Sequence, residues 1–105
     1  MRVLPQPAAE GLDLAQVLHA LGDPVRLELV RRLNGDGEIT CAPAGMEIPK
    51  STLSNHWRIL REAGLTTTVA DGRSRRMSLR RADLDQRFPG ILAAILSAAA
   101  RPGEP

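Results

Sequence analysis

The 105-residue sequence is poor in aromatic side chains, with one Trp, one Phe and no Tyr. It carries a single cysteine, Cys41, and a single lysine, Lys50. One cysteine excludes an intramolecular disulfide framework and any multi-cysteine zinc site. Long apolar runs are missing too. The longest uncharged apolar stretch, Ile91 to Ala100, falls far short of the roughly 20 residues a membrane helix needs. The opening MRVLPQPAAEGLD lacks the apolar core and cleavage region of a secretory signal. What is present is 43% hydrophobic residues, too many for a disordered chain. The length suits one domain. A cytoplasmic protein with no membrane partner is the expectation.

The formal net charge is only +2, but it is unevenly spread. From Lys50 to Arg81 there are eight basic residues and two acidic ones, a net of +6. The remaining residues hold six basic and ten acidic side chains, a net of −4. Such asymmetry is the footprint of a protein that meets a polyanion, most often nucleic acid. The competing reading is a solvated basic face, so the order of the elements has to decide.

Residues 1–9 read as a flexible lead-in, residues 10–100 as the folded domain and residues 101–105 as a flexible tail. Leu14, Val17, Leu18 and Leu21 recur at helical spacing and predict a helix over 10–21. Gly22 ends it, Asp23 caps the next helix, and Pro24 takes the first helical position. That second helix is expected to stop at Asn34-Gly35, with Leu27, Val30 and Leu33 facing inward. The Gly- and Pro-rich stretch 35–49 allows at most a short turn between Cys41 and Met46. Regular spacing returns in KSTLSNHWRILREAG, where Leu53, Trp57 and Leu60 form one stripe before Gly64. Ser51 is its better cap by chemistry, although Pro49 also suits a first turn. Leu65, Thr67 and Val69 then alternate, Asp71-Gly72 signals a hairpin, and Arg75, Met77 and Leu79 alternate again. Strands are expected at 66–70 and 74–79, one helical turn at 82–87, and a last helix from Pro89 through Ala100.

A helix opening with small polar residues and followed by an arginine-rich hairpin is the pattern of a winged helix-turn-helix. The fold class expected is therefore mainly α with a small β-hairpin. Major-groove reading needs side chains short enough to admit the helix and polar enough to bond base edges. Lys50, Ser51, Thr52, Ser54 and Asn55 meet that need, and Arg58 follows a turn later. Alone, this cluster would read as ordinary helix capping. Arg73, Arg75 and Arg76 on the hairpin are suited to backbone phosphates or a minor groove. Agreement of these separate cues points to double-stranded DNA as the partner.

The stretch ALGDPVRLELVRRL resembles the LADPTRLRIL opening of the ArsR/SmtB-type winged-helix repressors. KSTLSNHWRILREAGL resembles that family's recognition segment, S-T-x-S-x-H-L-x-x-L-x-x-A-G-L, and DGRSRRMSLR fits its wing. The resemblance covers about residues 12–96. It implies a homodimeric repressor on an inverted-repeat operator, with Lys50, Ser51, Ser54 and Asn55 reading bases and Arg73 and Arg75 in the wing. His56 takes the family's histidine position, where it contacts phosphate or buttresses the helix. Two departures stand out. The metal-sensing Cys-x-Cys is absent, with GEITCAPAG holding only Cys41, and FPGILAAILSAAAR has no His, Asp or Glu. No metal site and no cofactor are expected. Residues 39–50 are also shorter and richer in Pro and Gly than the family's first motif helix.

The last helix is apolar nearly all round, more than a small domain can cover. A two-fold contact is expected, built from Leu14, Val17, Leu18 and Leu21 of the first helix with Ile91, Leu92, Ile95, Leu96 and Ala99 of the last. It would set two recognition helices about 34 Å apart, one DNA turn. The alternative is that the last helix fills its own core. Trp57 reads as a core residue, and His19 as interfacial or solvated. Cys41 reads as a small buried side chain or as a responsive thiol. No catalytic constellation can be assembled, so an enzyme is not expected. The alternatives are a winged helix that binds protein instead of DNA, and a thiol- or metal-responsive repressor using Cys41. The sequence names no effector.

Overall fold

Asp13 and Asp23 mark the first two helix starts. In the computed structural model, which describes residues 1–40 and 45–100, α1 (Leu14–Leu21) opens with the Asp13 carboxylate accepting the Gln16 N–H at 3.0 Å. The helix is shorter than its apolar spacing suggested, because Ala9–Gly11 forms a separate 3-10 turn. α2 (Pro24–Asp36) starts as expected, with Asp23 accepting from the N–H groups of Val25 and Arg26 and Pro24 in the first turn. Its end differs from expectation. The helix passes through Asn34 and Gly35 and stops at Gly37, whose N–H donates to the Leu33 carbonyl. One glycine inside a helix costs only about 1 kcal/mol, which the buried Leu29, Val30 and Leu33 offset. Leu27 is only half-buried.

α3 (Lys50–Ala63) begins before Ser51, with Pro49 at the capping position and no side-chain cap. Leu53, Trp57, Leu60 and Ala63 are buried along one face, so the expected stripe is the packing face. Gly64 closes the helix at φ 88°, and a Cβ there would lie 2.0 Å from Leu12 Cδ2. Only glycine combines that backbone conformation with so close an approach.

Four short strands form an antiparallel sheet: β1 (Arg2–Val3), β2 (Glu38–Thr40), β3 (Thr66–Asp71) and β4 (Ser74–Leu79), in the spatial order β1-β3-β4-β2. Asp71 pairs with Ser74, so the two-residue loop is Gly72-Arg73, one position later than Asp-Gly suggested. Gly72 has φ 62°, while among the described residues no non-glycine has positive φ. That is the first-position glycine of a II′ turn. Register pairs Thr68 with Met77 and Ala70 with Arg75, and Val69 with Arg76. Alternation therefore sends Met77 and Arg75 to one face and Arg76 to the other.

Two strands were not expected. β2 follows directly on Gly37, in the stretch 35–49 for which no strand had been foreseen. β1 lies in the segment read as a lead-in. Leu4 donates its N–H to the Thr68 carbonyl at 2.9 Å and is 7% exposed. Beyond it, the carbonyls of Pro5, Pro7 and Leu12 accept from Arg61, Arg80 and Arg87. The segment before α1 is thus hydrogen-bonded to β3, to α3, to the Arg80 link and to α4.

α4 (Arg81–Arg87) is a two-turn helix, longer than the single turn expected, and α5 (Ile91–Ala99) begins after Gly90 and not at Pro89. α1 and α5 each pack on α2. Val17, Leu21, Leu92 and Leu96 are buried in the chain's own core. This corrects their expected place on a two-fold contact: they face inward because α2 and its neighbours cover them. Leu14, Leu18 and Ile91 remain exposed, and Ile95 and Ala99 are half-buried. The thiol of Cys41 and the tail 101–105 lie outside the described residues.

Candidate nucleic-acid interface

α3 turns its apolar stripe to the core and leaves Lys50, Ser51, Thr52, Ser54 and Asn55 exposed. The same 3.6-residue period that buries Leu53, Trp57 and Leu60 makes this exposure unavoidable. Arg58 is exposed too, donating to Glu62 Oε1 at 3.0 Å and to Asn55 Oδ1. With both partners of the Arg58–Glu62 pair about half exposed, the pair is weak and readily exchanged.

Arg75 reaches α3 because it shares a sheet face with Met77. Lys50, Ser54, Arg73 and Arg75 line a hollow of about 350 Å³ between the first turn of α3 and the hairpin loop. Behind it, Ser54, Trp57, Arg58, Arg61, Thr68, Arg75 and Met77 line a smaller cleft of about 130 Å³. Arg61 and Thr68 were not anticipated in the site. The signal for Arg61 was available, since Ser54, Arg58 and Arg61 fall at i, i+4 and i+7 beside the apolar stripe. Thr68 carries no such mark, because its position depends on strand register.

Arg76 does not join this group. It lies on the opposite sheet face, 3.9 Å from Glu38 Oε1 and within 3.5 Å of Met1 Sδ. The period-2 alternation of β4 sets it on the face away from Arg75.

His56 is mostly buried, and its Nδ1 lies 3.2 Å from the Arg26 guanidinium and 3.8 Å from Asp23 Oδ2. Arg26 is 8% exposed and also donates to the carbonyls of Ala20 and His19 at the end of α1. Guanidinium has only donors, so Nδ1 of a neutral His56 accepts and its proton sits on Nε2. One buried arginine thus ties α1, α2 and α3 together. Burial pushes the Asp23 carboxyl up, but the Arg26 backbone N–H and charge, joined by His56 when it is protonated, outweigh it and hold it below the ordinary value. Among the described residues, no three His, Cys, Asp or Glu side chains gather to hold a metal ion. Nor is any helix there long and apolar enough to cross a membrane.

A polar-faced helix flanked by a cationic hairpin, on a scaffold of packed helices, defines a winged helix-turn-helix. The helix-turn-helix domain family matches residues 21–69. The chain is 40% identical over 84 residues to the uncharacterised HTH-type transcriptional regulator YceK of Bacillus subtilis (strain 168), covering 77% of this chain and 84% of that protein. Among solved structures, it resembles an ArsR family transcriptional regulator at TM-score 0.65 and 20% identity, covering 84% of this chain and 98% of the other. A possible transcriptional regulator for arsenical resistance superposes at TM-score 0.57 and 32% identity, covering 85% and 100%. The chain belongs to the HTH-type transcriptional regulators and has the ArsR-type winged-helix fold. It is a DNA-binding regulator of transcription.

Proposed function

We propose that the chain works as a homodimeric repressor that occupies an inverted-repeat operator with one α3 in each half-site. The observation that carries this reading is the hollow where Lys50 and Ser54 face Arg73 and Arg75. In it, Lys50, Ser51, Thr52, Ser54 and Asn55 meet base edges, while Arg58, Arg73 and Arg75 meet phosphates or a minor groove. His56 supports the helix through Arg26 and presents Nε2–H toward the DNA backbone. Pairing of two chains is supported by the exposed Leu14, Leu18 and Ile91, with Ile95 and Ala99 beside them. A signal that releases DNA must bind one arrangement of the pair better than the other. Acting on DNA, the protein works in the cytoplasm.

Fluorescence anisotropy with operator and random duplexes, together with sedimentation, tests this. Ser54→Ala or Asn55→Ala changes which base is preferred, at about 1–3 kcal/mol per altered contact. Leu18→Glu combined with Ile91→Glu shifts the sedimenting species to monomer mass. A wild-type monomer at micromolar concentration overturns the dimer, and no duplex binding at low salt overturns the DNA reading.

A further inference from the structure

The cleft behind the hollow has features that a duplex has no use for. A phosphate backbone lying across the hollow meets its rim, Lys50, Arg73 and Arg75. The deeper part has a floor of Trp57 and Met77, which are 4% and 1% exposed, and a wall that includes Thr68. Thr68 is 2% exposed, and its Oγ1 is buried with no hydrogen-bond partner. Native structures seldom leave a buried hydroxyl unpaired.

Cations surround this floor with donors to spare. The Arg75 side chain makes no hydrogen bond or ion pair with any described residue. Among the described residues Arg61 engages only Nε, to the Pro5 carbonyl at 3.2 Å, and neither terminal amino group has a partner there. Arg58 is held by Glu62 and Asn55 through pairs that solvent can exchange. One water needs only about 10–15 Å³ of such space, and the cleft offers about 130 Å³. Guanidinium forks match carboxylate and phosphate oxygens, and the floor accepts a small apolar body.

We infer that this cleft binds a small organic anion, its carboxylate or phosphate head between Arg61 and Arg75 and its body over Trp57 and Met77, and that occupancy opposes DNA binding. The opposition rests on the reading of the hollow as the DNA face, since Ser54 and Arg75 line both spaces. A free anion and a duplex phosphate share the head chemistry, and the floor separates them.

Trp57 is the sole tryptophan of the chain, so its emission reports the cleft directly. The full-length protein is titrated with benzoate and with inorganic phosphate, using chloride at matched ionic strength as reference. Benzoate is expected to give a saturable change in emission that chloride does not, and to bind more tightly than phosphate. Arg61→Gln raises the half-saturating benzoate concentration by about tenfold, near the 1.4 kcal/mol of one lost contact, and Arg61→Lys recovers part of it. An unchanged thermal midpoint of Arg61→Gln separates loss of a ligand contact from loss of folding. Saturating benzoate weakens random-duplex binding by about fivefold or more in wild type, a coupling of ordinary size, and the benzoate concentration needed for that effect rises about tenfold in Arg61→Gln. A linear response equal to chloride, or an unaltered titration in both Arg61 variants, overturns the site. Tight phosphate binding with no benzoate preference assigns the cleft to duplex phosphate and overturns it as well. If wild type binds duplex but ignores benzoate, the anion site fails alone; if it binds no duplex, the DNA reading fails.

Discussion

Asp23 serves two structures with one carboxylate. It caps α2 by accepting from Val25 and Arg26 at 2.9 and 3.1 Å, and it stands 3.8 Å from His56 Nδ1. Its folded pKa lies below the ordinary 3.8, because its hydrogen bonds and cationic neighbours outweigh its partial burial. A proton therefore binds the unfolded chain more readily than the folded one. Stability from this group is complete above pH 3.8 and is lost as pH falls through the lowered folded value. Asp23→Ala should cost about 1 kcal/mol at pH 7, the usual worth of an N-cap. Thermal melts of both proteins from pH 7 down to pH 3 check it. The gap between them should stay level in the upper range and narrow only below pH 3.8. A gap that widens in acid contradicts the sign. The cap was legible in Asp23-Pro24, but the ring of His56 was not. Its link to Arg26 spans thirty positions, and no local spacing records such a pairing.

Elements with a period or a cap announced themselves, and elements made by distant pairing did not. The stripe of α3 and the alternation of β3 and β4 were readable because burial of one face imposes a repeat. Ser54, Asn55 and Arg75 fell into place with them. β1 and β2 span two and three residues, too few for any repeat, and exist because β3 and β4 offer edges to pair with. The same holds for the strap that follows β1. Leu4 fills a buried position at the end of β1, and Arg61, Arg80 and Arg87 fasten the carbonyls beyond it. Leu4→Ala should therefore destabilise the protein by about 2–3 kcal/mol, within the usual range for a buried leucine. Urea melts measure this through the transition midpoint, with an unchanged slope. A loss below about 0.5 kcal/mol, the level of a surface substitution, would return residues 1–9 to the status of a loose lead-in.

At the scale of the whole molecule, the fold sorts a charge excess that the linear sequence only locates. Of the eight basic residues from Lys50 to Arg81, three lie away from the hollow and the cleft. Arg80 is buried against Asp83 and the Pro7 carbonyl, Arg81 pairs with Asp85 and Asn34, and Arg76 faces Glu38. The other five, Lys50, Arg58, Arg61, Arg73 and Arg75, line the hollow and the cleft behind it. Counting charge along the chain thus overstates the face available to DNA. Arg75 and Arg76 make the distinction testable, since they are adjacent in sequence, identical in chemistry and opposite in direction. Each phosphate contact contributes about 0.9 to the slope of log K against log salt on duplex DNA. Arg75→Ala should lower the magnitude of that slope by about 0.9 and weaken binding similarly on all sequences. Arg76→Ala should leave the slope unchanged within error, because its guanidinium is on the far face of the sheet beside Glu38. Anisotropy titrations of both variants between 50 and 200 mM salt, the range over which such contacts tell, decide the matter. Equal losses in the two variants would mean that DNA approaches the hairpin edge-on, and the hollow between α3 and the loop would no longer define the binding face.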